Sequence, residues 1–239
     1  WQKTPSPKKN TKTKTVLSEK TLAILKNFAG INSNILIKPG NTLTTVSPMK
    51  NIMAEAEIEE DFDREIAIWD QNQFLGTISL FDNPTFEFDE NHVMISGKNG
   101  SSVRYFYSAP NLITTPSKKI TMPDSVVEFE LRQRDLVELQ KAAAVLGLAD
   151  LCVQTEGETL MMTAVDKKAN NSSNSYSIDL GELAADAPDF KFFFKVENLK
   201  MIGGDYDVSI AKQVVSHFVH RTSGVQYWIA LESDSVYNG

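Results

Sequence analysis

The fold is decided by the stretch SVVEFELRQRDLVELQKAAAVLG, residues 125–147, which predicts a strand followed by the strongest helix of the chain. The strand is predicted at 125–131 and the helix at 132–147, and Gly147 is a typical helix end. At 100° per residue the helix has two distinct faces. The apolar face carries Leu136, Leu139, Ala143 and Leu146, and the opposite face carries Arg134, Val137 and Lys141.

A second helix is predicted at SEKTLAILKNFAG, residues 18–30, where Ser18 is a suitable N-cap and Gly30 a suitable end. Two shorter helices are predicted at 70–80 and 196–202. The helices of the two halves recur at offsets of about 114 and 126 residues, which indicates a degenerate internal duplication. We therefore predict an α+β protein built from two β-rich domains of the same plan.

Short strands fill the remainder of both halves. Strands are expected at about 34–38, 42–46, 52–58, 64–69, 85–88, 92–96 and 102–108 in the first half, and at 125–131, 151–155, 159–165, 174–180, 189–194, 206–211, 213–220 and 225–232 in the second. The predicted organisation is a flexible basic tail at 1–15, an N-terminal domain at 16–110, an interdomain linker at 111–124 and a C-terminal domain at 125–239.

The tail and the linker differ in character. The tail holds five lysines and no acid, and it is either a flexible extension without a role or a basic arm that touches nucleic acid. The stretch 109–124, which includes the linker, contains three prolines, and it is unusually apolar because it carries Leu112, Ile113, Ile120 and Met122.

Composition gives little support to catalysis. The 239 residues carry a net charge of −7, 41% are hydrophobic, and one cysteine, Cys152, excludes internal disulfides and cysteine-rich zinc modules. No membrane helix and no signal peptide are expected. Phosphate-loop, dinucleotide-binding and nucleophile-elbow motifs are missing. We expect no catalytic residue, no metal site and no cofactor.

Two groups of residues are weaker candidates for a metal site. His217 and His220 lie three apart on a predicted strand, so they point to opposite faces and cannot share one metal without a bulge. The acids between Glu55 and Glu65 could hold Mg²⁺ as a nuclease does, but they have no partner histidine and are expected in one local loop, which favours a solvated acidic surface.

Positive charge is concentrated on the predicted helices. The four helices sum to +1, whereas the rest of the chain after residue 15 sums to −13. A relatively basic helical surface on an acidic protein suits the binding of a polyanion at one face. The basic side chains are Lys20, Lys26, Arg132, Arg134, Lys141 and Lys200.

Five segments carry a family resemblance that extends over residues 16–239. They are ILKNFAGINSNILIKPG (24–40), IAIWDQNQFLGTISL (66–80), PDSVVEFELRQRDLVELQKAA (123–143), GGDYDVSIA (203–211) and YWIALESDS (227–235). The chain resembles the sliding clamps of T4-type tailed bacteriophages, the processivity factors of phage DNA polymerases. The basic tail precedes the usual start of that family, and the lengths differ in the 96–124 region.

The resemblance implies a head-to-tail ring of three chains, with helices lining the central hole and sheets forming the outer wall. The six basic side chains above would then face duplex DNA without reading its sequence. The implied subunit contact pairs residues 103–108 with residues 175–180 of the next chain. Its side chains are Val103, Arg104, Tyr105 and Tyr107 on one strand, and Tyr176 and Ile178 on the other.

The resemblance also implies partners: the phage DNA polymerase and the clamp-loader ATPase, which dock through short peptides with apolar anchors, in the cytoplasm of the infected bacterial host and without a membrane. The expected groove is lined by Ile120, Met122, Pro123, Trp228, Leu231 and Val236. Two other classes stay open on the residues alone: a β-rich viral structural or scaffold protein, and a metal-dependent nuclease that uses the acids at 55–65.

Overall fold

The computed structural model describes residues 14–169, 173–212 and 215–239. The predicted α+β architecture is confirmed. The helices are α1 (Glu19–Ala29), α2 (Gln71–Ile78) and α3 (Gln133–Leu146), with short 3₁₀ turns at Pro110–Leu112 and Val196–Asn198. The strands are β1 (Ile35–Ile37), β2 (Gly40–Val46), β3 (Ile52–Phe62), β4 (Ile66–Ile68), β5 (Thr85–Phe88), β6 (His92–Ser96), β7 (Ser102–Phe106), β8 (Ser125–Leu131), β9 (Asp150–Glu156), β10 (Thr159–Val165), β11 (Tyr176–Glu182), β12 (Phe190–Lys195), β13 (Tyr206–Ala211), β14 (Val215–His220), β15 (Gln226–Ala230) and β16 (Val236–Tyr237).

Helix α1 begins and ends where its capping residues predict. The Ser18 hydroxyl accepts a hydrogen bond from the Thr21 backbone N–H, and the Gly30 N–H bonds back to the last turn. Ile24, Leu25 and Phe28 are buried. The apolar stripe fixes which face of α1 packs on the sheets, and the lysines take the other face.

Helix α3 also matches its prediction, with one exception on its apolar face. Leu136, Leu139 and Ala143 are buried, and Gly147 adopts a left-handed conformation (φ 68°) that ends the helix. Leu146, predicted to be on the buried face, is 37% exposed. It occupies the last helical position, just before the left-handed turn at Gly147, and the next apolar residue, Leu148, is buried in the core.

The predicted helix at 196–202 is wrong, because only Val196–Asn198 form a single 3₁₀ turn. The Ile202 N–H, which would donate to the Asn198 carbonyl in that helix, donates instead to the Tyr227 hydroxyl at 3.1 Å, and the carbonyls of the last predicted turn also have distant donors. The Leu199 carbonyl accepts from Gln140 Nε2 of α3 at 3.0 Å, and the Lys200 carbonyl accepts from Asn27 Nδ2 of α1 at 3.0 Å. Long-range contacts therefore replace the local helical hydrogen bonds.

The strands form four sheets, and one of them crosses from the first half of the chain to the second. The six-stranded sheet has the order β2-β3-β15-β14-β13-β8, in which β3 and β15 are antiparallel neighbours. Ala54 lies opposite Tyr227, and Met53 lies opposite Trp228. The other sheets are β5-β6-β7, β11-β10-β9-β12-β16 and the pair β1-β4. The predicted domain bounds stay a prediction, since the halves share this sheet and one continuous core.

A polar cluster reinforces the junction of the two halves. The Tyr227 hydroxyl donates to Asn27 Oδ1 at 2.7 Å and accepts from the Ile202 N–H at 3.1 Å. Asn51 Nδ2 donates to Asn198 Oδ1 at 3.2 Å, again across the junction. These bonds join α1, β3, β15 and the 196–202 segment into one unit.

The internal duplication is visible in the topology. Strand β8 precedes α3 and pairs with β13, and in the first half Thr15 precedes α1 and pairs with Phe86 of β5 through two backbone hydrogen bonds. Lys14, next to it, lies 3.5 Å from Glu87. Both residues belong to the predicted tail, whose remainder, residues 1–13, lies outside the described residues. Among the described residues, no helix is long and apolar enough to cross a membrane.

Candidate nucleic-acid interface and docking surfaces

The lysines of α1 and α3 are displayed on the faces that point away from the core. Lys20 and Lys26 are exposed on α1, opposite its buried stripe, and Lys141 is exposed on α3. Within the described ranges, no carboxylate forms an ion pair with any of these three side chains or with Lys200. Their charge is therefore available to an external anion.

Lys200 lies between the two helices because its backbone is held from both sides. Asn27, which follows Lys26, donates to the Lys200 carbonyl, and Gln140, which precedes Lys141, donates to the neighbouring Leu199 carbonyl. Positive side chains from two halves of the chain thus come to one surface. The sequence placed Lys200 on a helix, whereas the structure places it on an irregular segment after a 3₁₀ turn.

The two predicted arginines are less free than the lysines. Arg132 Nε lies 3.7 Å from Glu130 Oε1, and Arg134 Nε lies 3.2 Å from Asp135 Oδ1. Both side chains are more than half exposed, so these ion pairs are weak and can exchange for phosphate contacts. Two apolar side chains share the surface: Val137 is 40% exposed and Val145 is 84% exposed.

Strands β7 and β11 are among the strands that end a sheet and have no partner on one side in the described chain. Strand β7 is an edge of β5-β6-β7, and β11 is an edge of the five-stranded sheet. Unpaired edges of this kind are ready to accept a strand from another chain. These are the strands that the sequence analysis assigned to the subunit contact.

A tyrosine on each edge strand is tied to the helix behind it. The Tyr105 hydroxyl lies 3.3 Å from the Asp70 carbonyl and 3.2 Å from Gln73 Oε1 near the start of α2. The Tyr176 hydroxyl donates to Glu138 Oε2 of α3 at 3.3 Å. Each edge therefore includes a strand and the adjoining helix.

The other predicted contact residues have different surroundings. Val103 is half-buried, Arg104 is exposed, and Ile178 packs against the core. Tyr107 lies beyond β7, where its N–H bonds to the Asn91 carbonyl, and burial raises the pKa of its phenol.

Sequence reasoning missed two exposed aromatic side chains at the β7 edge, one of which, Phe106, is the last residue of the strand. Trp69 is 57% exposed and Phe106 is 61% exposed, and together with Arg104 they line a surface depression of about 640 Å³. Large exposed aromatic groups at a sheet edge are typical of interaction surfaces. Their position was not apparent because Trp69 and Phe106 are far apart in sequence and lie among residues predicted as a strand and a helix start.

The predicted docking groove is only partly assembled. Met122 packs against a cluster formed by Val46, Met53 and Trp228, with Val215 at its side. Ile120 is 38% exposed and Pro123 is exposed, as a linker that lines a groove requires. Trp228 is 8% exposed, and its ring stacks on His217 with 4.7 Å between centroids.

Leu231 and Val236 do not belong to this cluster. Leu231 is 6% exposed and part of the main core, whereas Val236 is on β16, opposite Lys191 in the other sheet. Their places in the groove are taken by Val46 and Met53 from the first half of the chain. Residues of the first half line the groove because β3 pairs with β15, which brings Met53 opposite Trp228.

The side chains considered for metal chemistry serve other purposes. His217 faces Trp228, whereas His220 is buried against Tyr206 with 5.1 Å between ring centroids, so the two histidines are apart as expected. Burial lowers the pKa of His217, and its hydrogen bond with Gln226 acts in the opposite direction. In the described part of the chain, no group of three or more potential ligands could hold a metal ion.

The acids at 55–65 are not arranged as a metal site, and Cys152 is not a reactive thiol. Most of the acidic run belongs to strand β3 rather than to a loop, which corrects the expected position. A strand sends alternate side chains to opposite faces and so separates neighbouring carboxylates. Cys152 is buried, and burial raises the pKa of its thiol to about 12, so it stays protonated.

Comparisons with known proteins agree with this geometry. The family described as DNA polymerase processivity factor matches residues 14–122, and the family described as gp45 sliding clamp, C terminal, matches residues 128–233. The sliding clamp of Vibrio phage KVP40 is 35% identical over 221 residues, which cover 91% of this chain and 99% of that protein. The sliding clamp of Enterobacteria phage T4 is 28% identical over 229 residues, covering 93% and 99% of the two chains.

A solved structure shows the same fold at low sequence identity. The PCNA2–PCNA3 complex from Sulfolobus tokodaii gives a TM-score of 0.65 at 13% identity, covering 92% of this chain and 99% of that chain. The fold, with free sheet edges at β7 and β11, therefore defines a DNA-clamp architecture. Together with the sequence identity to the phage proteins, this shows that the chain belongs to the sliding-clamp family of T4-type phages.

Proposed function

We propose that three copies of this chain close head to tail into a ring that encircles duplex DNA and tethers the replicative polymerase of the phage. The observation that carries the proposal is the pairing of β3 with β15 inside the chain. In the duplicated plan β11 corresponds to β3 and β7 corresponds to β15, and these two strands are left without that partner in the described chain. A heterologous contact of this kind generates a ring when its rotation closes.

The internal duplication gives the proposed contact a register. Equivalent hairpins link β6 to β7 and β14 to β15: the Gly97 N–H bonds to Ser101, and the His220 N–H bonds to Val225, both at 2.9 Å. Aligning these hairpins places Val103 where Tyr227 lies. Tyr227 pairs with Ala54 inside the chain. If the contact between subunits repeats this pairing, Val103 lies opposite the residue of β11 that corresponds to Ala54.

That position is Tyr176. Thr45 is the sixth residue of β2 and pairs with Ala54, and Ala164 is the sixth residue of β10 and pairs with Tyr176. The proposed contact therefore sets Val103 opposite Tyr176 of the next chain. Both side chains then lie on the face of the sheet that the helices cover. A shift of the strand register by one residue would move one of them to the opposite face.

Six domains in such a ring would place α1 and α3 of each chain towards the hole. The unpaired lysines on those helices support this orientation, since mobile ammonium groups contact phosphates without fixing a base sequence. A sliding ring must avoid base-specific contacts, which are worth about 1–3 kcal/mol each and would hold it in place. The acidic remainder of the protein repels DNA from the outer wall.

The Trp228 cluster supports a role in tethering. A peptide from the polymerase or from the clamp-loader ATPase would place its apolar anchor against Trp228, Met53 and Val46, below the linker residues Ile120 and Met122. A few buried anchors of this kind carry most of the energy in typical interfaces. The protein then acts by binding alone, without a catalytic step, in the cytoplasm of the infected host.

Primer extension on a singly primed circular template tests the proposed function. With the phage polymerase and its loader ATPase present, adding the clamp is expected to lengthen the products made in a single binding event. The gain should disappear when the loader is omitted. Product lengths that are the same with and without the protein would contradict the proposal and favour a structural role in the virion.

A further inference from the structure

The indole N–H of Trp228 is a buried donor in the described structure without an acceptor. Trp228 is 8% exposed, and its Nε1 atom has no hydrogen-bond partner among the described residues. Buried polar groups in proteins are almost always paired, so an exception in a native fold calls for an explanation. The location of this atom, in the cluster where a peptide is proposed to dock, suggests one.

The surroundings of Trp228 are fixed on every side except one. Val46, Met53 and Val215 are on β-strands, and the His217 ring lies parallel to the indole with an interplanar angle of 9°. His217 is itself held by a 2.8 Å hydrogen bond between its Nε2 and Gln226 Oε1. Met122 is the one member of the cluster on an irregular segment, so it can move without breaking a ladder.

We propose that Trp228 determines specificity in this groove by donating its Nε1–H to a main-chain carbonyl oxygen of the docked peptide. This inference rests on the proposed function. When the linker lifts, Met122 leaves the indole and packs on the anchor of the peptide, and the freed N–H takes the carbonyl beside that anchor. Every residue of a peptide brings such an acceptor, and each must be paired when it is buried.

The charge of the linker narrows the chemistry of the peptide. Lys118 and Lys119 are exposed beside Ile120, and in the described part of the chain neither of them forms an ion pair. A peptide that carries carboxylates next to its apolar anchor would pair with these ammonium groups. The occupant we infer is therefore an acidic peptide with one large apolar side chain, positioned by a hydrogen bond from Trp228.

Indole N–H resonances test the hydrogen bond directly. The chain has three tryptophans and so gives three indole signals, and a Trp228→Phe variant identifies the one that matters. The probe is a synthetic peptide with the C-terminal sequence of the phage's own DNA polymerase. On titration, the Trp228 indole proton is expected to move downfield and to exchange more slowly with solvent. A Trp228 indole signal that the bound peptide leaves in place would overturn the inference.

An isosteric replacement separates the hydrogen bond from packing. Benzothienylalanine has sulfur in place of the indole N–H, so Trp228→benzothienylalanine keeps the ring and removes the donor. We expect an about tenfold weaker peptide affinity by calorimetry, with unchanged thermal unfolding and ring mass. The same replacement at Trp69, which lies outside the Trp228 cluster, is the matched control and should leave the affinity as it is.

The outcomes distinguish the inference from the function on which it rests. Unchanged affinity in the Trp228 variant would overturn the inference and leave the groove in place. A peptide that fails to bind the unaltered protein would overturn both the inference and the docking part of the proposed function. Weakened affinity accompanied by loss of folding would be resolved by the resonance measurement on the unaltered ring.

Discussion

Replacing Lys20, Lys26, Lys141 and Lys200 together by glutamate is expected to abolish stimulation of the polymerase while the ring stays assembled. The four side chains are exposed, unpaired in the described structure and gathered from α1, α3 and the segment between them. Their reversal turns a surface that attracts phosphate into one that repels it, and affinity for DNA depends steeply on the number of such contacts. Primer extension on a circular template measures the effect.

A control variant with the same change in net charge separates the effect of where the lysines lie from the effect of the charge itself. Lys38, Lys50, Lys98 and Lys168 are exposed in turns between strands, and replacing them by glutamate alters the net charge equally. We expect this second variant to retain most of the stimulation. If the first variant still stimulated synthesis at full strength, DNA would have to pass along another surface.

Placing a glutamate at Val103 is expected to convert the ring into single chains. In the proposed register, the carboxylate would be buried against Tyr176 of the next chain, and a buried unpaired charge costs several kcal/mol. Light scattering should then report the mass of one chain, 26.6 kDa, instead of three times that value. The β7 strand itself should stay folded, because its pairing with β6 is independent of the contact.

A second substitution tests the register and not only the contact. Tyr176→Lys in the same chain places an ammonium group opposite the new carboxylate, with Glu138 already beside it. Val103→Glu combined with Tyr176→Lys should therefore recover the ring. A ring that persists in the Val103→Glu variant would refute the contact, and failure of the pair to reassemble would refute this register.

The sequence was sufficient for the elements whose signals are local. Ser18 and Gly30 bound α1, and Gly147 ends α3, because caps and left-handed glycines act within a few residues. The segment at 196–202 was misjudged for the opposite reason. Its amphipathic pattern is real, but the Ile202 N–H donates to the distant Tyr227 hydroxyl instead of to the carbonyl four residues before it.

The candidate sites also differ in whether local sequence patterns could predict them. The lysines of α1 and α3 could be found from helical periodicity alone, since the exposed face follows from the buried one. The groove around Trp228 could not, because Val46 and Met53 reach it through a strand pairing between residues far apart in sequence. Leu231 was placed there for its proximity in sequence to Trp228, but the end of β15 turns it into the main core.

The topological link between ring and DNA is the central claim, and retention on circular DNA tests it most directly. After loading onto a nicked circle, the protein is expected to remain bound at salt concentrations that break ionic contacts with DNA. It is expected to be released when the circle is cut into a linear molecule. A protein bound only by charge would leave the circle as the salt is raised, and cutting the circle would make no difference. That second result would contradict the account of this chain as an encircling clamp.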